Sequence, residues 1–176
     1  MFHQWHKFVF LSLWAIQTIC FGNPQIKIHL DQAKEFEEND QLEEAIESAK
    51  KAISKIDRQT DDTQVLEANK LLIRLSYDSE NYTDTIKYAQ SLIGKDKSND
   101  AQFFGRRYLG HAFMDSNRSK KAIRQYETAL KISSKDKEGE ANIHFNLGEI
   151  FMDLGIMAQS KKYYLKTLEI IEQDKS

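Results

Sequence analysis

Between Ala141 and Leu168 two helical patterns meet at a glycine. In the first, Phe145, Leu147 or Gly148, Phe151 and Leu154 return at steps of three and four residues. In the second, Ser160, Tyr164, Thr167 and Leu168 do the same. That period gathers each set on one face of a helix. Gly155 stands where the chain must reverse, and glycine enters the left-handed region without steric cost. Gly148 lies inside the first helix, where glycine costs about 1 kcal/mol against alanine. Its place there predicts a close approach by the partner helix.

The pattern recurs. Asn146-Leu147-Gly148 and Phe151 reappear as Tyr108-Leu109-Gly110 and Phe113, and Asn117 stands where Gly155 stands. Aligning Ala45, Thr85, Ala122 and Ser160 gives spacings of 40, 37 and 38 residues. Periodicity predicts helices over Ile26–Glu38, Leu42–Ile56, Val65–Ser79, Tyr82–Ile93, Ala101–Ser116, Ser119–Ile132 and Met157–Gln173, besides the one beginning at Ala141. Turns are expected at Asn39–Gln41 and at Ser79–Asn81, where Glu80 or its neighbour Asn81 takes the left-handed conformation. Gly94 is expected to stop a helix; Asp61 or Asp62, and Asn99 or Asp100, are expected to cap others. One proline, seven glycines and 30% charged residues suit helices with solvated outer faces.

Asn146-Leu147-Gly148, Phe151, Gly155, the small Ser160, Tyr164 and Thr167-Leu168 resemble a tetratricopeptide repeat, whose unit is a helical hairpin of about 34 residues. The resemblance implies an all-α fold, a right-handed superhelical solenoid of about four hairpins. Its domain would cover residues 26–174, with repeats near 26–59, 66–99, 103–136 and 141–174. The family's packing positions would fall at Ala45, Ala49 and Ala52, at Gly110, Ala122, Tyr126 and Ala129, and at Gly148, Gly155, Ser160 and Tyr164. The second repeat departs from the pattern with Ile73 where glycine is expected and Thr85 at a small position. The first has Gln32 where leucine belongs. A four-helix bundle with accidental spacing is the competing architecture.

In this family the first helix of each hairpin lines a concave groove. The resemblance therefore places Lys70, Arg74 and Tyr77 in the groove from the second repeat, beside Glu67 and Asp78. The third repeat would present Phe104, Arg107, His111 and Met114, with Asp115. The fourth would present Phe145, Glu149 and Met152, with Asn142 and Asp153. Lys70, Arg74 and Arg107 suit a carboxylate, which guanidinium forks grip bidentately. The plainer alternative pairs them with Asp78, Asp115 and Asp153. Exposed aromatic and Met side chains suit adaptable peptide binding; the same residues also serve as core.

Little suggests catalysis. His111 and Asp115 lie four apart on one face, as a metal half-site would, but as a solvated contact would too. There is no Gly-rich phosphate loop, nucleophile elbow or HExxH pattern. No cofactor, metal or enzyme activity is expected, and a formal net charge of −2 gives no reason to expect nucleic acid. The expected function is a non-catalytic scaffold that binds a peptide or protein segment; the alternative is a sensory or regulatory input module of a bacterial signalling protein.

Residues 1–22 read as a signal peptide. Lys7 precedes an apolar run over Phe8–Cys20, both tryptophans and four of the ten phenylalanines fall here, and no acid does. A buried N-terminal helix is the alternative. Cleavage after Gly22 would leave no cysteine. The run falls short of the ~20 residues a membrane span takes, so no stable span is expected. Lipid attachment at Cys20 fits poorly, because Ile19 stands where a small residue belongs. Export to the periplasm or exterior follows as the expected localisation. Met157, Tyr164, Leu168 and Ile171 would lie partly uncovered on the last hairpin, a surface for self-association or a partner.

Overall fold

The computed structural model describes residues 22–132 and 135–174. The expected signal peptide and Cys20 lie outside the described residues, apart from Gly22. Eight α-helices and no strand are found among the described residues. They are α1 (Pro24–Glu38), α2 (Leu42–Ser54), α3 (Asp62–Asp78), α4 (Tyr82–Lys95), α5 (Asn99–Asp115), α6 (Ser119–Ala129), α7 (Lys137–Asp153) and α8 (Met157–Asp174).

The chain divides into two compact units, one ending at Leu75 and one beginning at Ser76, with the boundary inside α3. In the first unit α1 packs on α2. Ile26, Leu30 and Ala33 of α1 are buried, as are Ala45, Ala49 and Ala52 of α2. In the second unit α5 packs on both α4 and α6, and α7 on α8. Phe103, Leu109 and Ala112 of α5, Tyr126 of α6, and Ile143 and Leu147 of α7 supply its core.

Four left-handed residues set the hairpins: Asp40, Glu80, Asn117 and Gly155. They recur at the same intervals as Ala45, Thr85, Ala122 and Ser160. Each makes the same pair of backbone hydrogen bonds. At Gly155 the amide donates to the Met152 carbonyl at 2.9 Å, and the next amide, Ile156, donates to Phe151 at 2.8 Å. At Asn117 the acceptors are Met114 and Phe113; at Glu80, Tyr77 and Ser76; at Asp40, Glu37 and Phe36. This double closure uses carbonyls that a helix end otherwise leaves unpaired. In the second turn Glu80 is the left-handed residue (φ 57°), whereas Asn81 has φ −82° and caps α4, accepting from the Asp84 amide at 3.1 Å.

Other local expectations shift. Gly94 does not stop α4, which runs on to Lys95 and is capped by Asp96. Ser98, rather than Asn99 or Asp100, caps α5 by accepting from the Ala101 amide. Asp61 does cap α3, accepting from the Thr63 amide at 2.9 Å. Serine and aspartate compete for such sites on equal terms, so the nearer geometry decides.

The glycines inside helices act as expected. A Cβ on Gly110 would overlap the Tyr126 ring, and one on Gly148 would lie 2.7 Å from Cδ1 of Tyr164. The same register in the second repeat holds Ile73 and Ala89, both fully buried. Bulk and smallness have changed places there, which accounts for the missing glycine.

Candidate functional site

The second unit holds a cavity of about 660 Å³ whose walls include Tyr77, Arg107, His111, Phe145 and Asn146. Tyr77 comes from the end of α3, Arg107 and His111 from α5, Phe145 and Asn146 from α7. Helical spacing explains the pairing: Arg107 and His111 are four apart and share one face.

The cavity floor is a buried polar network. The Tyr126 hydroxyl lies 2.7 Å from His111 Nδ1, and Asn146 Nδ2 lies 3.0 Å from the same nitrogen and 3.1 Å from the hydroxyl. Asn146 donates through Nδ2, so Nδ1 of His111 accepts and the neutral ring carries its proton on Nε2. Burial, with Arg107 nearby, pushes the imidazole down to about 3. His111 is only 9% exposed, and its ring packs edge-on against Tyr108 and Tyr126. Burial also raises the Tyr126 phenol above its ordinary range. His111 is therefore neither a metal half-site with Asp115 nor a solvated contact with it. Asp115 instead accepts from the Tyr77 hydroxyl at 2.6 Å. Burial first, and then this bond, push the Tyr77 phenol up.

The arginines expected to clamp a ligand carboxylate are already matched within the chain. In the first unit Arg74 forms a two-pronged ion pair with Glu37, Nη2 to Oε2 at 2.8 Å and Nη1 to Oε1. In the second, Arg107 Nη1 donates to Asp136 Oδ2 at 2.8 Å. The Arg107 guanidinium also lies over the rings of Phe104 and Tyr108, 5.5 and 5.4 Å from their centroids. These two partners, Glu37 and Asp136, are not among the aspartates the sequence suggested, Asp78, Asp115 and Asp153. Glu37 and Asp136 lie far away in sequence, so no local spacing pointed to them.

Other expected groove residues divide. Phe104 is core, tilted against Tyr108 at 4.6 Å. Met114 is half-buried, its sulfur 4.0 Å from the Tyr126 hydroxyl. Phe145 and Met152 are exposed and Glu149 is half-buried, but of these only Phe145 lines the cavity. Lys70 belongs to the first unit, where it is half-buried. Sequence reasoning overlooked Glu138, Lys137 and Thr167 on the cavity wall. Among the described residues no group of three or more His, Cys, Asp or Glu side chains is placed to hold a metal, and no helix is long and apolar enough to cross a membrane.

Comparison with known proteins bears on this geometry. A family model described as TPR repeat matches residues 110–155, and a second, described as tetratricopeptide repeat, matches residues 141–174. No curated protein matches the chain. Among solved structures, one described as "Crystal structure of MamA" superposes with a TM-score of 0.66 at 23% identity, covering 86% of this chain and 82% of that one. Another, "MamA MSR-1 C2", gives 0.61 at 14% identity and covers 85% and 78%. At such identity the likeness is one of fold. Residues 110–174 thus match tetratricopeptide repeats, and the all-helical hairpins give the chain an α-solenoid fold.

Proposed function

We propose that the protein is a non-catalytic scaffold that binds a peptide or protein segment, and that the cavity of the second unit is where the segment docks. The carrying observation is the cavity itself: open space beside an exposed Phe145 and a half-buried Tyr77, above a floor in which His111, Tyr126 and Asn146 are tied by hydrogen bonds. Such a network holds the floor's shape, so a ligand loses less free energy to ordering the protein. Exposed aromatic rings provide the large contact area that anchors interfaces. The test is selection of peptides from a random display library on the purified chain. Binding of the selected peptides should fall at least about tenfold in Phe145→Ala and Tyr77→Ala, the scale of an anchor residue. Unchanged binding in both variants would move the site elsewhere. Arg74→Glu, in the first unit, should leave that binding unchanged.

A second contact is favoured by the last hairpin. Met157 is 62% and Leu168 54% exposed, and Ile171 is exposed beside them. Leu168 stands in the register of Ile93, which lies under α5 at Gly105, where an added Cβ would be 2.8 Å from Cγ1 of Ile93. The position of Gly105 corresponds in α1 to Ile28, itself 47% exposed. A second copy laying α1 on α8 would cover both. Light scattering at rising concentration should show association that Leu168→Asp removes. A strictly monomeric chain at high concentration would count against it.

Export is part of the same reading, supported by the apolar run and missing acids of residues 1–22. N-terminal sequencing of protein recovered from outside the cytoplasm should begin at Asn23.

A further inference from the structure

We propose that His111 selects the ligand of this cavity: its Nε2–H donates to an amide carbonyl of the bound segment, beside an apolar side chain lodged against Phe145 and Ile171. This rests on the peptide-binding reading and adds the chemistry by which the segment is held.

Both hydrogen bonds to the His111 ring are made at Nδ1, by the Tyr126 hydroxyl at 2.7 Å and Asn146 Nδ2 at 3.0 Å. With Nδ1 accepting, the proton of the neutral ring sits on Nε2. Nε2 has no partner among the described residues. The buried side-chain atoms left without one are Arg106 Nε, Arg107 Nε and His144 Nδ1, so Nε2 is not sealed in. His111 is only 9% exposed and stands in the cavity wall, and the little surface it keeps is reached from the cavity. An N–H donor in a ring so buried has few waters to lose when a ligand oxygen arrives.

The donor is also fixed in place. Tyr77, Tyr108 and Tyr126 surround the ring with centroids 5.5, 5.4 and 5.5 Å away. Turning it over would break both bonds at Nδ1. The third hairpin alone has this device. Counting six residues back from Asp40, Glu80 and Gly155, as from Asn117 to His111, gives Lys34, Arg74 and Glu149.

The rest of the wall defines the neighbouring group. Phe145 and Ile171 are exposed and line the cavity, while the Tyr77 hydroxyl is turned to Asp115 and leaves its ring to the ligand. One neutral N–H satisfies an amide carbonyl, whereas a carboxylate asks for several donors. Arg107 makes a carboxylate the rival ligand, because its Nε is buried without a partner.

The experiment is an NMR titration of the full ¹⁵N-labelled chain at neutral pH with benzamide, benzoate and toluene. His111→Gln identifies the His111 ring signals. In the free protein the ring should carry its proton on Nε2; a proton on Nδ1 overturns the proposal. Benzamide should shift the Nε2 resonance together with the amides of Phe145 and Asn146. Toluene, which has the ring without the acceptor, should shift those amides and leave Nε2 in place. His111→Phe should weaken benzamide binding about two- to tenfold, the scale of one hydrogen bond, and toluene binding less than about twofold. If that variant does not fold, the Nε2 shift in the unaltered chain decides alone. Benzoate binding more tightly than benzamide with the same Nε2 shift would replace the amide by a carboxylate and overturn the assignment. Benzamide that shifts Phe145 but not Nε2 also overturns it, while the cavity stands as a site. Benzamide that shifts neither overturns it as well. Docking of a segment is judged separately, by the library peptides on Phe145→Ala and Tyr77→Ala.

Discussion

The ring of Tyr126 rests on Gly110 so closely that one added carbon would overlap it. The hydroxyl of the same ring reaches His111, the residue after that glycine. Gly110→Ala should therefore destabilise the fold. Overpacking costs about 1–3 kcal/mol, against about 1 kcal/mol of helix propensity regained. Tyr126 is fully buried and cannot retreat. Tyr164 over Gly148 is only half-buried, so Gly148→Ala should come out near zero. Urea unfolding of the two variants, side by side, measures the difference.

The turns make a second prediction. Glu80 carries a side chain at φ 57°, a region that costs a non-glycine residue roughly 1–2 kcal/mol. Glycine there pays about 0.5–1 kcal/mol in backbone entropy. Glu80→Gly should thus stabilise the protein by up to about 1 kcal/mol. Gly155→Ala, at φ 73°, should cost about 1 kcal/mol. Thermal melts of the two should shift in opposite directions.

His111 gives the fold a pH dependence. Its folded value of about 3 lies below the ordinary 6.5, so the unfolded chain binds the proton first. This contribution to stability is complete above pH ~6.5 and is lost as pH falls toward 3, with a slope approaching about 1.4 kcal/mol per pH unit. His111→Gln keeps an acceptor for Tyr126 and Asn146 and removes the titration. Unfolding free energies between pH 6.5 and 4.5 should fall less steeply in the variant. Equal slopes would show that the ring is protonated in the folded state.

Asp136 has two tasks. It accepts from the Gly139 amide at 2.7 Å, capping α7, and it pairs with Arg107 at 2.8 Å. A cap is worth about 0.5–2 kcal/mol. The ion pair, partly exposed, adds under about 1 kcal/mol. Asp136→Ala should lose both and cost about 1–3 kcal/mol. Asp136→Ser keeps a capping oxygen and should cost under about 1 kcal/mol. Denaturation midpoints that coincide for the two variants would mean the cap is not the larger part.

What the sequence determined by itself is the hairpin and its repetition. Gly155 and Asn117 at the reversals, small residues at Ala45, Ala122 and Ser160, and apolar steps of three and four are local signals, because helix geometry binds a residue to neighbours within one or two turns. Those signals reached even the close contacts at Gly110 and Gly148. Only the tertiary structure decided which partner each polar side chain takes. Arg74 found Glu37, Arg107 found Asp136 and Tyr77 found Asp115 across gaps no helical period spans. It also buried Phe104, an expected groove residue, in the core, and made His111 a buried part of the cavity wall. The reason is physical: periodicity tells which face of a helix is apolar, but charge pairing and burial depend on what a second helix brings opposite it.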